Sequence, residues 1–376
     1  MYSLAVIGGG PVGFRAATLV KQQGFDSLVI EEHPSIGKPV SCSGLISRSG
    51  IERLGIKFDD GIVLNGVRGA KIHGRTNTLI IERPTTVAYV IKRDAFDLQL
   101  AKEAKKAGVD VLLNTKMLNI NGDKLFVERE GRGELFKSEF FLGADGAVSK
   151  TRDLLGIKVG PNQFIKSYQV RARGSFDPDY VEVFFGSYAE NFFAWIVPES
   201  KEIARIGVGT ASYNAKDAFN SFVSSQNLEF ETISRQSGLI PCGEPIKNPV
   251  NGNILLAGDA AFHTKATSGG GVILGLEAAG RAASSIADHY KHKKPVSEYT
   301  KKLSPVYKEL NMHWKIRSYF NKQGPEKIDK LLGKSKKAGL EEFLNKEGDM
   351  DKPSTFMKKI WLKPRLWSLL PEFLRM

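Results

Sequence analysis

Residues 4–7 form an unbroken apolar run, Leu-Ala-Val-Ile, and a glycine-rich turn follows at once. A short apolar run bounded by turn residues reads as a strand buried on both faces. The Ala-rich stretch after Gly13 reads as a helix, broken at Gly24, and a second apolar run at 28–30 ends in Glu31. This is a strand–turn–helix–strand unit. Residues 33–50 are rich in Gly, Ser and Pro and are expected to be loop, placed to return over the end of the second strand. Short apolar segments at 70–72, 79–81 and 87–91, separated by glycines, predict a small inserted sheet within 51–91.

Phe96, Leu100, Ala104 and Ala107 then fall at helical spacing, Gly108 stops the helix, and 109–113 reads as a third parallel strand. A hairpin is expected from 118–120 and 125–127 around Asn121-Gly122-Asp123. Residues 140–142 lead into Gly143-Ala144-Asp145-Gly146. Segments 168–173, 181–185, 192–197 and 204–209 predict a second sheet, followed by a helix at 216–225. Residues 254–261 read as a strand returning to the first unit. A glycine cluster, Gly269 to Gly271, opens a long Ala-rich helix to 287, and from 295 the chain reads as helical and basic.

The expected fold class is therefore α/β (α+β): a Rossmann-like nucleotide-binding domain assembled from separated segments, 1–160 and 251–290. A mostly β substrate domain, 161–250, is inserted, and a helical basic C-terminal region spans 291–376.

The opening unit carries a chemical reading of its own. Gly8, Gly10 and Gly13 have G-x-G-x-x-G spacing between a strand and a helix. Gly8 permits the sharp turn, Gly10 lets backbone approach a pyrophosphate, and Gly13 lets helix and strand pack closely. The unpaired N–H groups at the helix start face an anion. Glu31, at the carboxyl end of the second strand, is placed to accept bonds from a ribose diol.

Charge adds a partner question. The 376 residues include 54 Lys and Arg against 41 Asp and Glu, a net +13. Such an excess suits a nucleic acid, an anionic membrane surface, or simply a well-solvated exterior. Only Cys42 and Cys242 are present, which argues against a disulfide framework and against a structural metal site. The first strand starts without a preceding signal segment, and no run approaches the ~18 apolar residues of a membrane span. A cytoplasmic, peripherally membrane-associated protein is the expectation.

The separated pieces together resemble the para-hydroxybenzoate hydroxylase-type flavoprotein fold, and within it the geranylgeranyl reductases of archaea and photosynthetic organisms, over residues 1–320. The resemblance implies FAD. Gly8, Gly10, Val12 and Gly13 match its phosphate turn and Glu31 its ribose acid. Arg93, in Arg93-Asp94-Ala95-Phe96-Asp97-x-x-Leu100, matches an arginine near the phosphates. Met117 falls at the adenine end, and Asp145-Gly146 matches the family's D-G pair. Asp259, in Gly258-Asp259-Ala260-Ala261, matches the acid that bonds the ribityl chain. Gly271 and Val272 fall where helix N–H groups face the flavin pyrimidine, stabilising the negative charge of reduced flavin.

Three segments resemble the reductases in particular. Pro39 to Gly44 resembles their P-x-x-C-G segment beside the flavin, which implies flavin contacts for Cys42, Ser43 and Gly44; Ser43 stands where glycine is usual. Phe193-Ala194-Trp195-Ile196-Val197-Pro198 resembles the strand that lines their lipid pocket, with Phe193 in place of a tyrosine. Asp177-Pro178-Asp179-Tyr180 with Phe184-Phe185-Gly186 matches the archaeal members. The implied pocket is walled by Phe185, Phe193, Trp195 and Pro198.

The implied chemistry is hydrogenation of isoprenoid double bonds, with reduced FAD as hydride donor and Cys42 as a candidate proton donor or pocket-shaping thiol. Cys242 is read as structural, with pairing to Cys42 the alternative, and His263 as a satisfied polar group, with a place near the flavin the alternative. No second glycine fingerprint exists for a nicotinamide cofactor, so electrons must come from an external donor, a reduced nicotinamide or a small redox protein. Aromatic and aliphatic residues interleaved with Lys and Arg at 354–376 suit an anionic membrane surface, or a helix docked on the protein itself. No motif supports nucleic acid. A flavin monooxygenase acting on a hydrophobic substrate, and a non-catalytic flavin-binding protein at the membrane, stay open as alternatives.

Overall fold

A computed structural model describes residues 1–212, 214–360, 362–369 and 372. The opening strand, Tyr2–Ile7, lies inside a sheet ordered Val250–Asn251, Ile254–Leu256, Arg132–Gly143, Tyr2–Ile7, Ser27–Ile30, Asp110–Leu112. From 254–256 to 110–112 the pairing is parallel; Val6 sits opposite both Val29 and Leu142. Leu4, Ala5 and Val6 are fully buried because both faces are covered, as a parallel sheet requires. Helices Pro11–Gln22, Arg93–Ala107 and Val272–His292 share one core with Leu4, Val6 and Leu142. The other face packs against Met117, Leu125 and Val127 of a β-meander. That meander is the expected hairpin, Thr115–Asn121 and Lys124–Arg129, continued by the long strand Arg132–Gly143.

The second sheet has seven strands, ordered Glu231–Pro241, Phe164–Arg173, Ile203–Thr210, Ala194–Pro198, Tyr180–Phe184, Gly69–His73, Thr78–Glu82. Helix Ala215–Ser225 buries Ala218, Phe219 and Phe222 against one face, where Ala172, Ile206 and Val208 meet it. The opposite face carries Ile165, Val181, Phe193, Trp195 and Val197.

Three expectations need correction, and one strand was not foreseen. The segments of 51–91 do not make one inserted sheet. Gly69–His73 and Thr78–Glu82 extend the seven-stranded sheet, through parallel pairing with Tyr180–Phe184. Val63–Val67 and Ala88–Ile91 join Leu45–Ser47 in a three-stranded sheet. Apolar pattern identifies a strand but not its partner. Residues 33–50 are not all loop: Leu45–Ser47 is a strand, and helix Arg48–Leu54 follows, capped by the Ser47 hydroxyl, which accepts from Gly50 N–H at 3.1 Å. The returning strand is only Ile254–Leu256, because Gly258 turns the backbone with φ +67°. Strand Glu231–Pro241 went unpredicted; its side chains are mostly exposed or half-buried, so no apolar run marks it.

The C-terminal region is helical, as expected: Glu298–Lys302, Ser304–Asn321, Pro325–Lys337, Leu340–Glu347 and Pro353–Ile360, then a 3-10 turn at Pro364–Leu369. Phe343, Ile360, Leu366 and Leu369 cluster together, so much of the tail docks on the protein itself. Trp361, Leu370, Pro371, Phe373, Leu374 and Arg375 lie outside the described residues. Among the described residues no helix is long and apolar enough to cross a membrane.

Candidate active site

One elongated cavity of about 640 Å³ runs between the two sheets, from the opening glycine turn to the aromatic face of the second sheet. At its first end, Gly8 has φ +107°, and a Cβ there would lie 2.4 Å from the Ala144 carbonyl oxygen. A Cβ on Gly13 would lie 2.1 Å from the Gly8 oxygen, so Gly13 holds the helix against the turn from behind and does not itself line the cavity. A Cβ on Gly10 would meet nothing within 4 Å, which leaves the helix start open to the cavity. Pro11, at the first helical turn, has no N–H to leave unpaired.

The Glu31 carboxylate is held in place before any ligand arrives. Its Oε2 accepts from Gly9 N–H at 2.7 Å, and its Oε1 accepts from His33 N–H at 3.0 Å beside the His33 ring nitrogen at 2.6 Å. One lone-pair site stays open on Oε2. Met117 lines the same end with Thr115, whose N–H bonds the Glu31 carbonyl at 2.8 Å. Asp145 also lines the cavity, but its carboxylate accepts from Ser149 Oγ and from Thr151 N–H and Oγ1.

Arg93 opens helix Arg93–Ala107 at mid-cavity and contacts the Asp97 carboxylate at 3.2 Å, next to Cys42. Burial opposes its charge, yet Asp97 and Cys42 outweigh burial and hold the guanidinium above its ordinary pKa. Burial raises the Asp97 and Asp259 carboxyls, with Arg93 opposing in both cases. Asp259 Oδ1 accepts from Thr264 Oγ1 at 3.0 Å and faces Gly271; a Cβ on Gly271 would come within 2.7 Å of it. Gly271 caps the 21-residue helix Val272–His292, and Gly269 to Val272 line the cavity, so the positive end of a long helix faces into it.

The far end is apolar. Phe192 and Phe193 stack at 4.2 Å between ring centres, and Trp195 meets Phe193 edge-on at 6.0 Å. Val181, Val183, Val197, Ile240 and Met350 complete this wall. Of the expected pocket residues, Phe193 and Trp195 are in place, whereas Phe185 and Pro198 are not among those lining the cavity. Phe185 lies behind Phe193 and stacks on Phe320. The Pro198 carbonyl accepts from Asn65 Nδ2 instead.

Cys42 and Ser43 line the cavity. Gly44 stands behind them with φ +71°, and a Cβ there would collide with Arg205 Nη1 at 2.1 Å. Arg205 is a residue the sequence did not disclose. Its guanidinium donates to Ser43 O at 2.7 Å, Ile91 O at 3.0 Å and Glu199 Oε1 at 2.8 Å. Gln169 was missed as well. Its Oε1 accepts from Trp195 Nε1 at 2.8 Å, while its Nε2 donates to Gln236 Oε1 and, at 3.4 Å, to Cys42 O. Arg205 is the one charged residue of the apolar strand Ile203–Thr210, the one available signal; Gln169 lies in a strand with several other polar residues and carries none.

Lys265, in the segment between Ala261 and Val272, is a third residue the sequence did not disclose. Its buried ammonium lies 2.6 Å from Asp351 Oδ1, so the C-terminal segment closes one wall of the cavity. Cys242 is buried and unpaired, with burial raising its thiol pKa. His263 is outside the cavity lining; burial pushes its pKa down to about 3, and its Nδ1 accepts from Gly258 N–H.

An anion cradle, a carboxylate fixed by a glycine N–H and a helix N-terminus along one cavity fit a dinucleotide carrying a flat redox ring. The FAD binding domain family matches residues 1–222. The chain belongs to this FAD-binding family. FAD is its cofactor, and it is an FAD-dependent oxidoreductase whose relatives include proteins named as digeranylgeranylglycerophospholipid reductases.

It is 32% identical over 96% of its length to the uncharacterized protein MJ1520 of Methanocaldococcus jannaschii, covering 94% of that protein. It is 27% identical to digeranylgeranylglycerophospholipid reductase 2 of Methanothermobacter thermautotrophicus, covering 88% of this chain and 91% of that one. Among solved structures, a geranylgeranyl bacteriochlorophyll reductase-like protein of Thermoplasma acidophilum superposes with a TM-score of 0.85 at 23% identity, covering 99% of both chains. The myxobacterial halogenase CndH superposes less well, with a TM-score of 0.70 at 15% identity over 99% of this FAD-binding protein and 97% of the halogenase.

Proposed function

We propose that this enzyme saturates carbon–carbon double bonds in the geranylgeranyl chains of membrane lipids. The observation that carries the reading is the continuity of one cavity, from the nucleotide cradle to a wall of Phe192, Phe193 and Trp195. The names of its relatives support the same substrate class.

When bound and reduced, FAD supplies the hydride for addition to an alkene carbon. The chain's residues then have distinct tasks. The Gly8–Gly13 turn and the helix start hold the pyrophosphate, with Val12 against it and Arg93 beside it. Glu31 takes a ribose hydroxyl on its open Oε2 site, and Met117 packs at the adenine end. Asp259 holds the ribityl chain. The N–H groups of Gly271 and Val272 meet the flavin pyrimidine at the helix N-terminus.

The second alkene carbon needs a proton, and its transfer builds positive charge on carbon. The faces of Phe193 and Trp195 stabilise such charge where water is scarce. Cys42 Sγ lies in the same cavity and holds the proton to be given, with Arg93 placing positive charge beside the sulfur that donation leaves behind. Ser43 and Gly44 would hold this loop beside the flavin, with the Ser43 carbonyl fixed by Arg205. Electrons arrive from an external donor. The protein works in the cytoplasm, at the surface of an anionic membrane.

Anaerobic mixing tests the reading. The photoreduced enzyme is combined with a geranylgeranyl lipid in a stopped-flow instrument, and flavin absorbance is followed. The reading expects reoxidation that depends on lipid concentration and is absent with the fully saturated lipid. Reoxidation only when oxygen is admitted would favour a monooxygenase and overturn it.

A further inference from the structure

Away from the cavity, the C-terminal region forms an open cationic cleft lined by Lys330, Lys334, Lys337, Arg365, Ser368 and Asn77. The three lysines recur at four- and three-residue intervals along helix Pro325–Lys337, which puts them on one face. Ile328 and Leu332, on the other face, are buried and anchor the helix. Arg365 and Ser368 reach the cleft from the turn Pro364–Leu369.

Among the described residues these cations are poorly matched. Among the described residues Lys330, Lys337 and Arg365 make no ion pair, and Lys334 has Glu372 only at 3.7 Å. The neighbouring Asp329 is committed elsewhere, accepting four hydrogen bonds from Thr76 and Asn77. Like charges gathered in one cleft repel, and an incoming anion relieves that repulsion.

Two large apolar side chains stand beside the cations on the same short segment: Leu362 is 77% exposed and Trp367 is 52% exposed. Their place on the segment that carries Arg365 is what sets them apart from the other exposed apolar side chains. A membrane interface suits both, because the indole settles at headgroup level and the leucine enters the acyl boundary. A nucleic acid would meet the cations equally well but gives the leucine no partner.

We propose that this cleft is a docking site for the anionic headgroups of phospholipids, seating the protein on the membrane with Leu362 and Trp367 in the interface. The proposal extends the lipid-substrate reading, since such a seat brings the protein to its chains. Yet docking needs neither flavin nor turnover, so either idea can fail alone.

The flavin-loaded full chain is sedimented with vesicles of phosphatidylcholine containing phosphatidylglycerol, and with pure phosphatidylcholine vesicles, at low salt. Binding should require phosphatidylglycerol and weaken with salt. The triple variant Lys330→Ala, Lys337→Ala, Arg365→Ala should lose about fivefold in partitioning per cation, on the order of a hundredfold together. Its flavin content should be unchanged. A control removing the same charge from the exposed meander lysines Lys116, Lys124 and Lys137 should partition like the wild type.

Equal loss in the control, or wild-type partitioning by the cleft variant, overturns the proposal. So does binding of inorganic phosphate or of an oligonucleotide that depends on the cleft while vesicles are ignored.

Discussion

Arg205→Met tests how the Cys42 loop is held. Methionine keeps much of the volume and removes the charge and the donors. The Arg205 and Glu199 side chains are only 8% and 4% exposed. Removing one partner of a buried pair costs about 3–5 kcal/mol when the other is stranded. Here Glu199 retains Arg171 on Oε2 at 2.8 Å, so its share falls to about 1–2 kcal/mol. The carbonyls of Ser43 and Ile91 lose their donor at about 1 kcal/mol each. The expected destabilisation is therefore about 3–4 kcal/mol, read as the shift of the urea transition. The local effect should exceed the global one, because the Ser43 carbonyl is tied to the second sheet by this guanidinium. Alkylation of Cys42 under native conditions should speed up by at least tenfold, while buried Cys242 stays protected. A destabilisation below about 1 kcal/mol with unchanged Cys42 labelling would refute the reasoning.

Trp195→Phe removes the donor to Gln169 and should cost about 1 kcal/mol in stability, and it should raise KM for lipid more than it lowers kcat. Glu31→Ala and Gly13→Ala should both lower flavin retained through purification. The alanine weakens it because a Cβ at Gly13 falls 2.1 Å from the Gly8 oxygen, and full flavin content in either variant contradicts the cradle. His263 and His313 are buried, and burial lowers both pKa values from 6.5 to about 3. Below pH 6.5 the unfolded chain binds protons that the folded chain refuses. Their contribution is thus complete above pH 6.5 and declines as pH falls towards about 3. His263→Asn with His313→Gln should flatten that limb of a stability–pH curve, and an unaltered limb counts against it.

What the sequence disclosed follows from distance along the chain. The glycine turn, Glu31 and the helix that Gly108 ends are local patterns, and each appears where spacing placed it. The hairpin around Asn121-Gly122-Asp123 was legible for the same reason, though not the long third strand that continues it. Pairings over long separations were not. Nothing in residues 69–82 announces that they join a strand at 180–184, and nothing near Ser43 points to Arg205. Lys265 and Asp351 are 86 positions apart, and only folding shows that the tail closes the cavity wall. Strand Glu231–Pro241 was hidden because neither face is richly apolar. Phe185 and Pro198 were assigned to the pocket by motif, whereas Phe185 stands just past the end of strand Tyr180–Phe184 and Pro198 at the end of its own strand, and neither lines the cavity.

The central claim is that lipid double bonds are reduced in this cavity. Mass spectrometry of a geranylgeranyl phospholipid after anaerobic incubation with the reduced, flavin-loaded enzyme tests it most directly. The account predicts products heavier by two hydrogens for each double bond, none containing added oxygen, and much less product from Cys42→Ala or from Phe193→Ala. Unchanged lipid with the flavin still reduced, or an oxygenated product once air is admitted, would contradict it.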